Sequence, residues 1–221
     1  MISNQQLEPR QVIPSHQHET AYAAVILAGR YREIGDNGRY PAEPGTVIVH
    51  TPFDRHSDEV GTHGATIVNV PLGAAAALQL GSGLLDDVDA FARGLARGEP
   101  ALALLAAQSV TPLRVETDLP DLLARDLAAR PVTEIGGWAE RMQVSPRTLS
   151  RAFRSAFGMT AAHYRWRCRT RAAWRAVALD DEPLAQIAHD WGFADQAHLS
   201  RSIRDLSGRS PGAWRRMRLA D

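Results

Sequence analysis

Lysine is absent from this 221-residue chain: all 25 basic side chains are arginine, balanced by 25 acidic ones. Cysteine is reduced to Cys168, which excludes an internal disulfide framework and a thiolate zinc finger. No apolar run approaches the roughly 18–20 residues that a bilayer span requires, and the nearest, Ala21–Ala28, is far too short. The first residues, MISNQQLEPRQVIPS, lack a basic start followed by an apolar core. No secretory signal is therefore expected, and the cytoplasm is the expected compartment. GxGxxG, P-loop and HExxH patterns are also missing. What remains is a chain of 44% hydrophobic and 23% charged residues, in the globular range. Its length suits one large domain or two small ones.

The zero net charge conceals an asymmetry. Residues 131–221 hold 15 Arg against 9 Asp and Glu, whereas residues 1–130 hold 10 Arg against 16 acidic residues. A basic module joined to an acidic one is expected, and the basic one invites a polyanion.

Organisation along the chain follows three compositions. In residues 1–72, YAAVIL (22–27), RYREI (30–34), TVIVH (46–50) and ATIVNV (65–70) are bounded by Gly, Pro, Asn and Asp. Such runs predict a small antiparallel sheet or barrel. Residues 73–130 are rich in Ala and Leu, with helical patterns at 84–96, 100–108 and 119–129. This stretch reads as a helical connector whose stripes suit packing on the sheet or a dimer face. Pro131 ends it. Residues 131–221 read as wholly helical, so the fold class is α+β.

The last part contains a repeat. SRAFRSAFGMT (150–160) aligns with SRSIRDLSGRS (200–210) at an offset of 50 residues. Each copy carries helix-turn-helix punctuation. Thr133 is the expected cap of a helix bearing Ile135, Trp138, Ala139 and Met142 on one face, and Ser145-Pro146 opens a second helix that stops at Gly158. In the other copy Pro183 opens the first helix, Asp195 caps the second, and Gly208 ends it. A helix from Ala161 to Leu179 lies between the copies. At 1.5 Å per residue it separates the two units by roughly 25–30 Å, close to one DNA turn of about 34 Å.

SPRTLSRAFRSAFGMTAAHY (145–164) and PLAQIAHDWGFADQAHLSRSIRDLSGRSPGAWRR (183–216) resemble the C-terminal DNA-binding domain of the AraC/XylS family of bacterial transcription regulators. That resemblance implies two helix-turn-helix units joined by a long helix, entering the major groove of double-stranded DNA. It places base-edge contacts on Arg147, Ser150 and Arg151, and on Gln196, His198 and Arg201. Arginine suits guanine O6/N7 and glutamine suits adenine N6/N7, although either can instead hold a phosphate. The arginines of the 161–179 helix are expected to serve phosphates and the interhelical surface.

Five of eight histidines lie in residues 16–63. His16 and His18, two apart on a predicted strand, share a face. With Gly29, Pro44-Gly45 and His56 they form a pattern that resembles a cupin barrel, as in the sensor domain of many AraC-type regulators. The resemblance implies one divalent transition metal held by His16, His18 and His56; the alternative is that these histidines line a ligand pocket or the barrel rim without a metal. Tyr22 occupies the usual glutamate position, which argues against enzymatic activity, and Glu33 on the neighbouring strand is the substitute carboxylate. Such a ligand set suits Zn²⁺, Ni²⁺, Mn²⁺ or Fe²⁺ without selecting among them. His50 and His63 are expected at strand ends or in loops.

The function expected is a sequence-specific DNA-binding regulator, not an enzyme. A small ligand or metal is its effector, with RNA polymerase and a second copy of the chain as further candidate partners. A metal-dependent cupin enzyme with a helical appendage is the alternative.

Overall fold

A computed structural model describes residues 3–73, 76–77, 80–113 and 118–218. They form two compact units, residues 1–116 and 117–221. No helix among the described residues is long and apolar enough to cross a membrane.

The first unit is built on an antiparallel sheet of eight strands: β1 (Ser3–Leu7), β2 (Val12–Gln17), β3 (Tyr22–Gly35), β4 (Gly38–Ala42), β5 (Thr46–His50), β6 (Arg55–Pro71), β7 (Gly83–Leu85) and β8 (Val110–Pro112). The path runs β1-β6-β3-β5-β7-β8, with β2 also on β6 and β4 on β3. The predicted runs 22–27 and 30–34 are one long strand, β3, whose pairing with β6 shifts register between Ile26 and Ala28 and again between Gly29 and Tyr31. Gly29 is required there: its φ is +74°, and a Cβ would meet the Gly64 carbonyl oxygen at 2.0 Å.

Residues of β3 alternate between two apolar layers. Ala23 and Val25 pack with Val47, Val49, Val68 and Val70, together with Phe91 and Leu105 from helices α1 (Val88–Ala96) and α2 (Ala101–Ala106). Ala24 and Ile26 pack on the opposite face with Ile48, Tyr31, Val60 and Ile67. Burial on both faces explains why YAAVIL and TVIVH read as continuous apolar runs and not as alternating ones.

The expected 73–130 connector is not a single piece. The predicted helix over 84–96 begins as strand β7, and Asp87 then caps α1 by accepting from Ala90 N at 2.7 Å. Residues 83–112 thus complete the first unit, whereas helix α3 (Leu119–Ala129) belongs to the second. Buried Leu123 and Leu127 give α3 an apolar face.

The second unit continues with α4 (Ile135–Arg141), α5 (Pro146–Phe157), α6 (Ala161–Leu179), α7 (Leu184–Asp190), α8 (Gln196–Ser207) and α9 (Pro211–Arg218). Helices α5 and α8 are each twelve residues long and lie fifty positions apart. Ser145 Oγ accepts from Thr148 N at 3.1 Å, and an Asp195 carboxylate oxygen accepts from His198 N at 2.6 Å. Both helices stop at left-handed glycines, Gly158 and Gly208. The first cap differs from expectation. Glu134, not Thr133, caps α4, accepting from Gly136 N at 2.9 Å and from Gly137 N. Met142, expected on the inner face, is 41% exposed because it follows the last turn of that short helix.

Candidate functional site

Two arrangements carry chemistry, one in each unit. In the second unit, Leu149, Phe153 and Phe157 turn one face of α5 into the core, and Tyr164 of α6 meets both phenylalanine rings within 5.3 Å. That orientation puts Arg147, Thr148, Ser150, Arg151 and Arg154 on the exposed face, where Arg147, Ser150, Arg151, Arg154 and Ser155 line a shallow depression. Leu199, Ile203 and Leu206 anchor α8 in the same way. Gln196, Arg201 and Arg204 are exposed, and His198 is half-buried. The His198 ring lies edge-on to Phe193, with Nδ1 3.4 Å from the Ala194 N–H as its acceptor. In the neutral ring the proton then sits on Nε2, leaving a donor there.

The arginines of α6 do not form one phosphate-facing row. Arg167 and Arg171 are buried, at 6% and 7% exposure. Arg165 Nη1 donates to the Thr133 carbonyl at 3.3 Å, and Arg169 Nη1 donates to the Gly192 carbonyl at 2.8 Å. Four residues apart on one helix face, these two side chains tie α6 to the residue preceding the α4 cap and to the turn between α7 and α8.

In the first unit the sheet register assembles imidazoles and carboxyls. His16 on β2 lies directly opposite His56 on β6, Tyr22 on β3 opposite His50 on β5, and Glu33 on β3 opposite Asp58 on β6. The ring centroids of His16 and His56 are 4.4 Å apart, those of His18 and His56 5.4 Å, and those of His50 and His56 4.4 Å. His50 Nε2 lies 3.5 Å from Glu33 Oε2. These groups line a cavity of about 310 Å³, walled elsewhere by Gln5, Leu7, Tyr31, Ile67 and Asn69.

The loop between β5 and β6 fixes where His50 and His56 point. Asp54 accepts from Thr51 N at 2.6 Å, from Thr51 Oγ1 at 2.9 Å and from Asn37 Nδ2 at 2.7 Å. Buried Phe53 adopts a left-handed φ of 65°, and its N–H donates to the His18 carbonyl at 2.8 Å. That backbone conformation is unusual for an aromatic residue and is held by these surrounding bonds.

Burial sets the protonation of the cluster. Desolvation, reinforced by His50, His16 and His18, pushes His56 down to about 2. Desolvation and His16 lower His18. Glu33, fully enclosed and facing Asp58 and Asp54, is held well above the carboxylate range, and burial raises Asp58 to about 6. At neutral pH, His18 and His56 are therefore uncharged bases, and Glu33 resists ionisation.

The residues suit a metal. His16 Nδ1 donates to the Pro14 carbonyl at 2.9 Å, which leaves Nε2 as the ligating nitrogen. His18 Nε2 and His56 Nδ1 are buried without a hydrogen-bond partner among the described residues. One ligand atom from each of His16, His18 and His56 falls within 4.8 Å of the others. Glu33 groups instead with His50 and His56. His50, expected only at a strand end, does end β5 but is 2% exposed and belongs to the cluster. His63 lies on β6 and is exposed.

Residues 138–217 match a family described as a helix-turn-helix domain. Over 80 residues the chain is 34% identical to the HTH-type transcriptional activator RhaS of Pectobacterium atrosepticum, covering 36% of this chain and 29% of that protein. Over 183 residues it is 28% identical to the transcriptional activator NphR of a Rhodococcus species, covering 78% of this chain and 52% of that one. The chain thus spans from under a third to about half the length of these relatives. Among solved structures, the DNA-binding domain of AdpA in complex with a target DNA is similar to 47% of this chain over 96% of its own, at 24% identity and a TM-score of 0.43. ToxT from Vibrio cholerae aligns over 98% of both chains at 9% identity and the same TM-score, 0.43. The helical unit, with its repeated capped helices, thus contains a segment, residues 138–217, that matches a helix-turn-helix domain family.

Proposed function

We propose that this chain is a sequence-specific DNA-binding transcription regulator with a cupin-like, ligand- or metal-responsive N-terminal unit. The observation that carries the reading is the pair α5 and α8: helices of equal length, each with a side-chain N-cap and a left-handed C-terminal glycine, anchored by an apolar face and presenting Arg151 or Arg201 at the matching exposed position. In this reading α4–α5 and α7–α8 are two helix-turn-helix units. Arg147, Ser150 and Arg151 read base edges from the first, and Gln196, His198 and Arg201 from the second. Helix α6, 19 residues long, gives a separation of about 28 Å, suited to successive major-groove segments on one face of the duplex. RNA polymerase and a second copy of the chain are the further partners of such a regulator. The relatives named above are transcriptional activators, which favours this reading over a metal-dependent enzyme.

The metal belongs to the same reading. His16, His18 and His56 would hold one divalent transition ion, and Glu33 would lend negative charge from across the cavity. A bound ion would cross-link the β2 segment and β6, and protons would compete with it for the imidazole nitrogens.

Selection of bound duplexes from a random pool, with and without added Zn²⁺, tests the proposal. A defined operator with two subsites is expected. Inserting about five base pairs between them rotates one by half a turn and removes most of the specific affinity. Binding that is salt-dependent but indifferent to sequence would reject it.

A further inference from the structure

The imidazole cluster contains two overlapping ligand sets. One is His16, His18 and His56, half-exposed at its outer end; the other is Glu33, His50 and His56, buried throughout. In each set the candidate ligand atoms lie within 4.8 Å of one another. His56 is common to both and sits between them, 4.4 Å by ring centroid from His16 and 4.4 Å from His50.

We infer that the N-terminal unit offers a divalent transition ion two alternative seats, an outer one of three imidazoles and an inner one of Glu33, His50 and His56, and that the shared His56 makes them mutually exclusive. This rests on the metal part of the reading above and not on DNA binding.

Exclusivity follows from imidazole chemistry. A neutral ring has a single nitrogen with a free lone pair, because the other carries the proton. His56 can therefore ligate one ion at a time. Simultaneous occupation would demand an imidazolate bridge and two dications in a buried space offering few carboxyls to neutralise them.

The seats differ in chemistry. The outer set is neutral and within reach of solvent at His16 and His18. The inner set brings a carboxylate, with Asp58 opposite Glu33 in the sheet and its own Oδ1 buried without a hydrogen-bond partner. Tyr22 closes over this seat, its ring stacked on His50 at 4.5 Å and edge-on to His18 at 4.9 Å. The carboxylate expected at position 22 is thus replaced by one entering from Glu33, on the inner side of the cavity.

Co²⁺ is the probe, added to the full chain purified without an affinity tag, with stoichiometry read by calorimetry and ligand type by visible absorption. The unsubstituted protein should bind one equivalent. His16→Ala/His18→Ala should still bind one, through the inner seat. Glu33→Gln and His50→Ala should each still bind one, with the spectrum of an all-imidazole site. His56→Ala should lose binding, with circular dichroism confirming that each variant is folded. Loss of Co²⁺ from His16→Ala/His18→Ala, with Glu33→Gln and His50→Ala indistinguishable from the parent in spectrum, would overturn the inner seat and leave the outer one standing. Two equivalents on the parent would overturn exclusivity. No binding by the parent would remove both seats and leave the DNA reading untouched.

Discussion

Trp138 donates its indole N–H to Asp126 Oδ2 at 2.7 Å, joining α4 to α3 across Pro131. Trp138 is 2% exposed, so this bond satisfies a buried donor as well as fixing α3 to the helical unit. A fragment beginning at residue 117 should therefore fold and bind DNA, whereas one beginning at 131 should be less stable. The shorter fragment loses Leu123 and Leu127, both wholly buried. At about 1.5–3 kcal/mol for each fully buried aliphatic side chain, the difference should appear as a lower urea midpoint. Equal midpoints would show that α3 is dispensable.

Arg151→Ala and Arg201→Ala should each weaken specific binding by roughly 1–3 kcal/mol and relax preference at a distinct operator position. Competition with operators mutated one base pair at a time measures both effects. A uniform loss across sequences, with a shallower salt dependence, would assign that arginine to a phosphate.

Arg169 should behave differently. Its guanidinium lies 4.4 Å from the Phe193 ring centroid while bonding the Gly192 carbonyl. Arg169→Lys retains the charge but loses the planar stacking group. Thermal unfolding should report a loss of about 1–2 kcal/mol, and the salt dependence of DNA binding should not change. A reduced salt slope would place Arg169 on the DNA backbone.

The α4 cap predicts a pH effect. Backbone N–H groups of Gly137 and Gly136 hold the Glu134 carboxyl below its ordinary value of 4.5. The folded value is depressed, so the stabilisation is present above 4.5 and is lost as pH falls through the lower folded value. Glu134→Gln should flatten the acid limb of the unfolding profile relative to the parent. Superimposable acid limbs would mean that ionisation of Glu134 contributes nothing to the stability of the fold.

Local chemistry made much of the helical unit legible. Ser145, Asp195, Gly158 and Gly208 act within a few residues of themselves, so the bounds of α5 and α8 follow from capping preferences alone. The membership of α3 depends on Asp126 meeting Trp138, a side-chain bond between separate helices that no periodicity encodes. His50 was hidden for another reason. All five residues of β5 are buried, so its sequence gives no alternation from which to read the face that His50 occupies. Strands β7 and β8, three residues each, are too short to carry a pattern.

Strand β6 carries His56 and Asp58 near one end and Ala65, Ile67 and Val68 in the sheet cores farther along. A slip of one residue in its pairing would turn the ligands away from the cavity and exchange Ile67 and Val68 between the two apolar layers. Ligand geometry is consequently insured by the same register that holds the domain folded. A change of register between β3 and β6 would therefore disturb pocket and sheet in a single event.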